Sequence, residues 1–482
     1  MHCRCLVVGF VVLFACVTEA ATPIELAMSA IQKAVPQARR DPNRPVYHFR
    51  PPAQWMNDIN GSVYYGGYYH VFYQHNPYAD TWECMHWGHA RSRDLVRWEH
   101  QPIALWPSYE RGEEHCYSGG CAIRPDDGLP MLFYTSIGHE YREEWAAISR
   151  DEMVAWEKLQ ANPVVAHTTG SGERFSAQDP FVFQHEGKTW LLSTSFNGKD
   201  KLGGLHLYEA GDGTLTNWQY RGRFSDHTSP CPNLVQIASK WVLLLHTKWY
   251  IGTIDWAHYR FLTETEGPLV YSGNDNARGS NIIVNGPQRR ALFMAWISRR
   301  VHYDEPGRGW AGCMSLPTEM FIRADGGLGY RPVAELACLR RTQRVRSPFT
   351  LNAEAVDLPE MKGHTREFVL EFKPAKTGNS GIRLRRNADG SSAVMMRYND
   401  GNLYVEGHHE RTTIVPVGLR RDGSIALHIF LDRAILEYFV NDGQRYGVQY
   451  MHNSIHDIGT EVFSDGAMQV TNLTSWERHA IW

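Results

Sequence analysis

The stretch of the chain best suited to chemistry is Trp55-Met56-Asn57-Asp58-Ile59-Asn60-Gly61. An aspartate between asparagines, beside a turn, can be held ionised by amide donors, and a carboxylate so held can act as a nucleophile. The same residues also suit an Asx-turn, in which the side chain only bonds nearby backbone. His86-Trp87-Gly88-His89 sets two histidines three apart. No third ligand accompanies them and no zinc-type pair of Cys-x-x-Cys motifs exists, so neither a metal nor another cofactor is expected. Six cysteines follow residue 20: Cys84, Cys116, Cys121, Cys231, Cys313 and Cys338. Both a local Cys116–Cys121 bridge and buried free thiols are compatible with their spacing.

The elements that must position Asp58 announce themselves as short apolar runs of strand length. These are Tyr69-His70-Val71-Phe72-Tyr73, Met131-Leu132-Phe133-Tyr134, Trp190-Leu191-Leu192, Trp241-Val242-Leu243-Leu244-Leu245 and Ala291-Leu292-Phe293-Met294-Ala295-Trp296. Their starts are 62, 59, 51 and 50 residues apart. Each interval can hold one four-stranded antiparallel sheet, and glycine, proline, asparagine and aspartate punctuate the intervals as hairpins require. Repeated sheet units of this length predict an all-β, five-bladed β-propeller, with a central channel whose mouth collects residues from every blade. Parallel βαβ units would need crossover helices between the runs, and the helical pattern is confined to residues 24–35.

Near residues 340–348 the character changes. A basic, polar segment and a linker-like stretch precede strands at shorter spacing, at residues 367–372, 392–398, 403–406, 426–430 and 435–440. Asn441-Asp442-Gly443 is a strong turn signal. The expected organisation is an N-terminal segment over residues 21–45, a propeller over 46–340 and a C-terminal β-sandwich over 350–482.

Composition narrows the function. With 43% apolar and 21% charged residues the chain is globular, and its net charge of −3 offers no electrostatic footprint for nucleic acid or an anionic membrane. Aromatic residues are plentiful (16 Trp, 23 Tyr, 19 Phe), which suits both β-sheet cores and sugar-binding clefts. Residues 1–20 read as an export signal: Arg4 opens it, an apolar run from Leu6 to Ala15 follows, and Thr18-Glu19-Ala20 ends in a small-residue cleavage site. That run is too short for a permanent membrane span. Secretion is the expectation, with a lipid-anchored leader ending before Cys16 as the alternative.

The motifs taken together resemble glycoside hydrolase family 32, the β-fructofuranosidases. The block around Asp58 is very close to the family's Trp-Met-Asn-Asp-Pro-Asn-Gly, with Ile59 in the proline's place. Tyr73-Gln74-His75-Asn76-Pro77, Met85-His86-Trp87-Gly88-His89-Ala90, Asp94-Leu95-Val96-Arg97-Trp98, Tyr117-Ser118-Gly119 and Ser315-Leu316-Pro317-Thr318-Glu319 continue the resemblance in order. It implies a retaining glycosidase acting on sucrose, fructan or another fructoside. Asp58 would be the nucleophile and Asp179 the transition-state stabiliser, while Asn57, Gln74, Trp82 and Ser118 would line the pocket.

Two of the family's three catalytic motifs depart. Its Arg-Asp-Pro is Gln178-Asp179-Pro180 here, and its Glu-Cys-Pro-Asp is Pro230-Cys231-Pro232-Asn233. The glutamate that would serve as acid and base is therefore Pro230, which has no proton to give. General acid catalysis contributes about 10²- to 10⁴-fold, so fast sucrose hydrolysis is not expected. Three readings stay open: an acid displaced to Asp226 or His227, a substrate whose leaving group needs little protonation, and a non-catalytic carbohydrate-binding protein. Oligomeric state is open too.

Overall fold

The computed structural model describes residues 21–196, 202–273, 277–298, 307–407 and 411–482. The export signal expected over residues 1–20 lies outside them. An N-terminal helix, Pro23–Ala38, starts with a capping box: the Glu25 N–H donates to Thr22 Oγ1 and the Thr22 N–H to Glu25 Oε2. Ala27, Ile31 and Ala38 form its buried stripe, packed on Ala53, Ile103 and Trp310. Among the described residues no helix is long and apolar enough to cross a membrane.

Five antiparallel sheets follow. Their first strands are Gln54–Tyr65, His115–Ile123, Gln178–His185, Asn233–Ile237 and Ala277–Ile282. These strands touch one another in succession, and the fifth closes back on the first, so the sheets are the blades of a ring. Trp310–Ala311 adds a parallel pairing to the first blade at Gln54 and Trp55. The five apolar runs read from the sequence are the second strands: Tyr68–Asn76, Pro130–Ile137, Lys188–Ser195, Lys240–Leu245 and Ala291–Ile297. They are apolar on both faces because each blade is covered by a neighbour on either side, and nearly all of their residues are buried.

The C-terminal region is a sandwich of a seven-stranded and a six-stranded sheet over its own apolar core. Here the structure corrects the sequence reading in one place. Arg340–Arg346, read as a basic segment ahead of a sandwich expected from residue 350, is an edge strand paired with Ala467–Arg478, so the sandwich begins directly after the propeller. Its side chains are almost all exposed and four of the seven are arginines, which hides the strand pattern and guards a sheet edge.

Propeller and sandwich share a core in which Phe293, Leu316 and Tyr330 meet Phe430, Ile435 and Tyr446. A buried polar lock lies beside it. The Asp432 carboxylate accepts from the backbone N–H groups of Val46, Tyr47 and His48 and from His48 Nδ1, while His48 Nε2 lies 3.0 Å from Glu437 Oε1. Glu437 also accepts from the Leu316 N–H and the Tyr446 hydroxyl. At the tip of the Asn441-Asp442-Gly443 turn, Gly443 presses on the fifth blade, where a β-carbon would stand 1.6 Å from the Tyr330 carbonyl oxygen.

Candidate active site

Side chains and backbone near the starts of the first strands stitch the five blades together around the channel. The Gly119 N–H donates to Asn60 Oδ1 (3.4 Å), Asp179 N–H to Thr135 Oγ1 (2.8 Å) and Cys231 N–H to Asp179 Oδ2 (3.1 Å). Asn233 Nδ2 donates to the Ser280 carbonyl (2.9 Å), and the Ser62 N–H donates to Asn281 Oδ1 (2.8 Å). Each seam of the ring thus carries at least one such bond, and the catalytic candidates sit among them.

Asp58 is half-buried in the first strand of the first blade. Ser118 Oγ donates to its Oδ2 at 3.0 Å, and the Cys231 thiol reaches the same oxygen at 3.5 Å. Cys231 Sγ also lies 4.0 Å from Asp179 Oδ2, so one thiol stands against both carboxylates. Burial, together with the charges of Asp58 and Asp179, pushes that thiol well up, and it remains a donor. Residues from four blades are thereby brought together: Asp58, Ser118, Asp179 and Cys231.

Asp179 has a backbone φ of 59°, a left-handed conformation unusual for a residue with a β-carbon. Its N–H is pinned by Thr135, whose hydroxyl donates to the buried Glu144 carboxylate at 2.9 Å. Glu144 also accepts from Ser193 Oγ (2.7 Å) and lies 3.2 Å from His167 Nε2, which in turn has Tyr208 OH 2.7 Å from its Nδ1. The strained turn is therefore over-determined from beneath. Burial raises the Asp179 carboxyl most; Asp58 and Glu144 add to this, and the Gln178 amide and the Cys231 N–H oppose it. The result is an acid pushed up to about 7. Gln178 Nε2 donates to Asp179 Oδ2 at 2.8 Å but brings no charge.

The other expected pocket residues divide. Trp55 Nε1 donates to Asn57 Oδ1 at 2.8 Å, which fixes that amide beside Asp58. Gln74 is buried and donates to the Cys116 carbonyl at 2.9 Å, tying the first blade to the second. Trp82 is 40% exposed and leans on His115, with ring centroids 5.2 Å apart. His86 and His89 diverge: His86 Nδ1 bonds the Cys84 carbonyl, and His89 meets His70. Among the described residues no cluster of three or more His, Cys, Asp or Glu could hold a metal. The six cysteines among the described residues are free thiols, and Cys116 and Cys121 lie buried along one strand without bridging.

Pro230 is half-buried immediately before Cys231. The displaced acids considered from sequence are committed elsewhere. Asp226 is bridged by Arg260 (2.8 Å) and Arg223 (3.3 Å) between the outermost strands of the third and fourth blades. Slight burial raises its carboxyl, but the two guanidiniums outweigh this and hold it below the usual range. His227 stacks on Tyr250 at 3.9 Å, and its Nε2 lies 3.3 Å from Thr263 Oγ1. Asn233, in the place of the motif's final aspartate, is a brace: its amide donates to Cys231 and Ser280 and accepts from the Ile282 N–H.

Sequence reasoning missed four participants. Cys231 served only to frame the Pro230 position, although it touches both carboxylates. Glu144 and His167 carry no local motif. Gly279, in the fifth blade, packs so tightly that a β-carbon would stand 2.2 Å from Asp58 Oδ1.

Known proteins match the chain over both of its domains. Residues 48–332 match the model described as Glycosyl hydrolases family 32 N-terminal domain, and residues 335–477 match Glycosyl hydrolases family 32 C terminal. The levanase of Bacillus subtilis is 27% identical over 91% of this chain and 71% of its own length. A raffinose invertase of Escherichia coli is 29% identical over 87% of this chain and 92% of its own. Among solved structures, fructan 1-exohydrolase IIa from Cichorium intybus superposes with a TM-score of 0.79 at 22% identity, over 91% of this chain and 98% of that one. A Bombyx mori GH32 beta-fructofuranosidase gives 0.77 at 23% identity, over 95% and 99%. With propeller and sandwich both matched nearly end to end, the chain belongs to glycosyl hydrolase family 32 and is a glycoside hydrolase.

Proposed function

We infer that the protein cleaves β-fructofuranosides by a retaining, two-step mechanism in which Asp58 is the nucleophile and no glutamate protonates the leaving group. The observation that carries this is the Asp58–Cys231–Asp179 arrangement at the channel. One carboxylate is oriented by Ser118, and a second, in a separate chemical environment, stands across the same thiol. Asp58 attacks the anomeric carbon, the bond to the leaving oxygen breaks, and that oxygen departs with the electron pair. Water then cleaves the fructosyl ester, its hydroxyl staying on the sugar and its proton passing to solvent or to the expelled alkoxide. Asp179, when ionised, accepts hydrogen bonds from sugar hydroxyls as charge develops on the ring. A fructose-type donor is supported by the names of the relatives, a levanase and a raffinose invertase.

Pro230 makes the leaving group decisive. An alkoxide expelled without a proton donor forgoes about 10²- to 10⁴-fold of rate, whereas a stabilised aryloxide loses much less. The leader at residues 1–20 would place this activity outside the cytoplasm. The test compares wild type with Asp58→Asn on sucrose, inulin, levan and an aryl fructoside with an activated leaving group. Rapid aryl release, slow sucrose cleavage and loss of both in the variant are expected. Turnover that persists in Asp58→Asn would remove the mechanism, and sugar binding without any turnover would favour a carbohydrate-binding protein.

A further inference from the structure

The first strands of the blades have two ends. Asp58, Asp179, Cys231 and Gly279 stand near their starts, and at their far ends the channel opens again into a cavity of about 770 Å³. Ile123, Gln184 and Ile237 line it from the second, third and fourth blades, and Val284 and the turn at residues 285–290 line it from the fifth. Val284 closes this end against the first blade: its N–H donates to the Ser62 carbonyl at 3.0 Å, and its own carbonyl accepts from the Tyr64 N–H at 2.9 Å. A buried belt of amides divides the cavity from the Asp58 pocket. Asn233 Oδ1 accepts from the Ile282 N–H at 2.9 Å, and Asn281 Oδ1 accepts from the Ser62 N–H at 2.8 Å.

Wall and rim differ in chemistry. Ile123, Val235, Ile237 and Val284 are only half-buried, so the wall keeps apolar surface that the blades do not cover. The rim is basic. Arg290 is held by Glu335 and Glu319, and Arg331 by Glu319 at 3.4 Å. Arg289, beside them, is exposed and has no carboxylate partner among the described residues. Glu319 and Glu335 therefore offset Arg290 and Arg331, and Arg289 leaves one positive charge over. A strained turn presents it: Asn285, Gln288 and Arg289 hold φ at 58°, 59° and 52°, a left-handed conformation disfavoured for residues with a β-carbon.

Small-molecule sites occupy about 300–1,000 Å³ and pair an apolar wall with a few fixed polar groups. A guanidinium suits a carboxylate, which it can bind through two parallel hydrogen bonds. A neutral sugar would use neither the apolar wall nor the charge.

We propose that this cavity binds a small amphipathic carboxylate, with its apolar body against Ile123, Ile237 and Val284 and its carboxylate on Arg289. The site lies apart from the Asp58 pocket and stands whether or not the fructosidase reading holds.

The test titrates the full-length protein with anilinonaphthalene sulfonate, an apolar ring system carrying one anionic group, and then with octanoate, octanol and fructose as competitors. The dye should give one saturable, blue-shifted signal. Octanoate should displace it, octanol about tenfold less well, the scale of one charge-assisted hydrogen bond, and fructose not at all. Arg289→Ala, a change at the surface, should weaken the dye and octanoate by about tenfold and leave octanol unchanged, erasing the preference for the acid. Ile237→Trp, which fills the cavity, should remove the binding of all three. Displacement by fructose would put the dye in the sugar pocket and overturn the proposal. So would the absence of a saturable signal, or affinities that Arg289→Ala leaves unmoved.

Discussion

Gly279 and Asp58 are in van der Waals contact across the seam between the fifth blade and the first, leaving no room for a side chain. A β-carbon at residue 279 would lie 2.2 Å from Asp58 Oδ1 and 3.1 Å from its Cα, and the glycine holds φ at +55°. Gly279→Ala should therefore push the nucleophile aside. A misplacement near 1 Å costs on the order of 10²-fold in rate. The left-handed backbone adds about 1–2 kcal/mol to the cost of folding. The variant should melt a few degrees lower yet lose most of its release of an activated aryl fructoside. Unchanged turnover would mean that the glycine places nothing.

Asp179 supplies a second prediction, in pH. Its carboxyl, pushed up to about 7, is largely protonated below that pH and charged above it. Sugar binding that depends on an ionised Asp179 should strengthen as pH rises through about 7. The groups facing it are Asp58, Glu144 and Cys231, with Tyr117 near enough to feel its charge. Glu144→Gln removes one negative neighbour while keeping an acceptor for Thr135, so the midpoint should move to lower pH. A purely structural role for Glu144 would weaken binding at every pH and leave the midpoint where it is.

These two sites also mark how far the sequence could be read. The blades were legible because every second strand is buried on both faces and so appears as an unbroken apolar run. Asp58 and Asp179 were legible through short motifs. The Glu144–His167 support was not: Thr135 and Glu144 pair across one hairpin of the second blade, but His167 comes from a separate segment and Ser193 from the third blade. Gly279 has no signal either, because its importance lies in what it lacks. Asp226 shows the converse error of taking sequence proximity to Pro230 for proximity to the chemistry, since the chain there turns outward to Arg223 and Arg260.

The lock between the domains should make stability depend on pH. Burial alone would pull His48 down, but its bonds to Asp432 and Glu437 outweigh it and push it up to about 9. Its ordinary value is 6.5, so the stabilisation it brings is fully present below about pH 6.5 and is lost as pH rises through 9. The shift corresponds to about 3 kcal/mol. Asp432 is held below its ordinary value, burial being outweighed by His48 and by backbone N–H groups, so its contribution fails only as pH falls below about 3.8. Thermal melts should show highest stability near pH 4–6.5 from this lock and a decline toward pH 9. His48→Phe strands two buried carboxylates, costs about 3–5 kcal/mol and removes that decline. A parallel fall in wild type and variant would place the titration elsewhere.

Restoring the missing groups is the most direct test of what their loss did. Pro230 sits between two anchored peptide groups: the Ser229 carbonyl accepts from Thr194 Oγ1 at 2.8 Å, and the Cys231 N–H donates to Asp179 at 3.1 Å. A glutamate placed there inherits a fixed backbone beside both carboxylates. Gln178 already bonds Asp179, so an arginine in its place would bring positive charge to that acid and hold it ionised at neutral pH. Pro230→Glu with Gln178→Arg should raise sucrose cleavage by up to about 10²- to 10⁴-fold, because an alkoxide leaving group gains its proton. The activated aryl fructoside, which leaves without one, should gain far less, and that contrast separates acid catalysis from a general improvement of the pocket. A folded double variant with unchanged sucrose turnover would show that the pocket has diverged at more than these two positions.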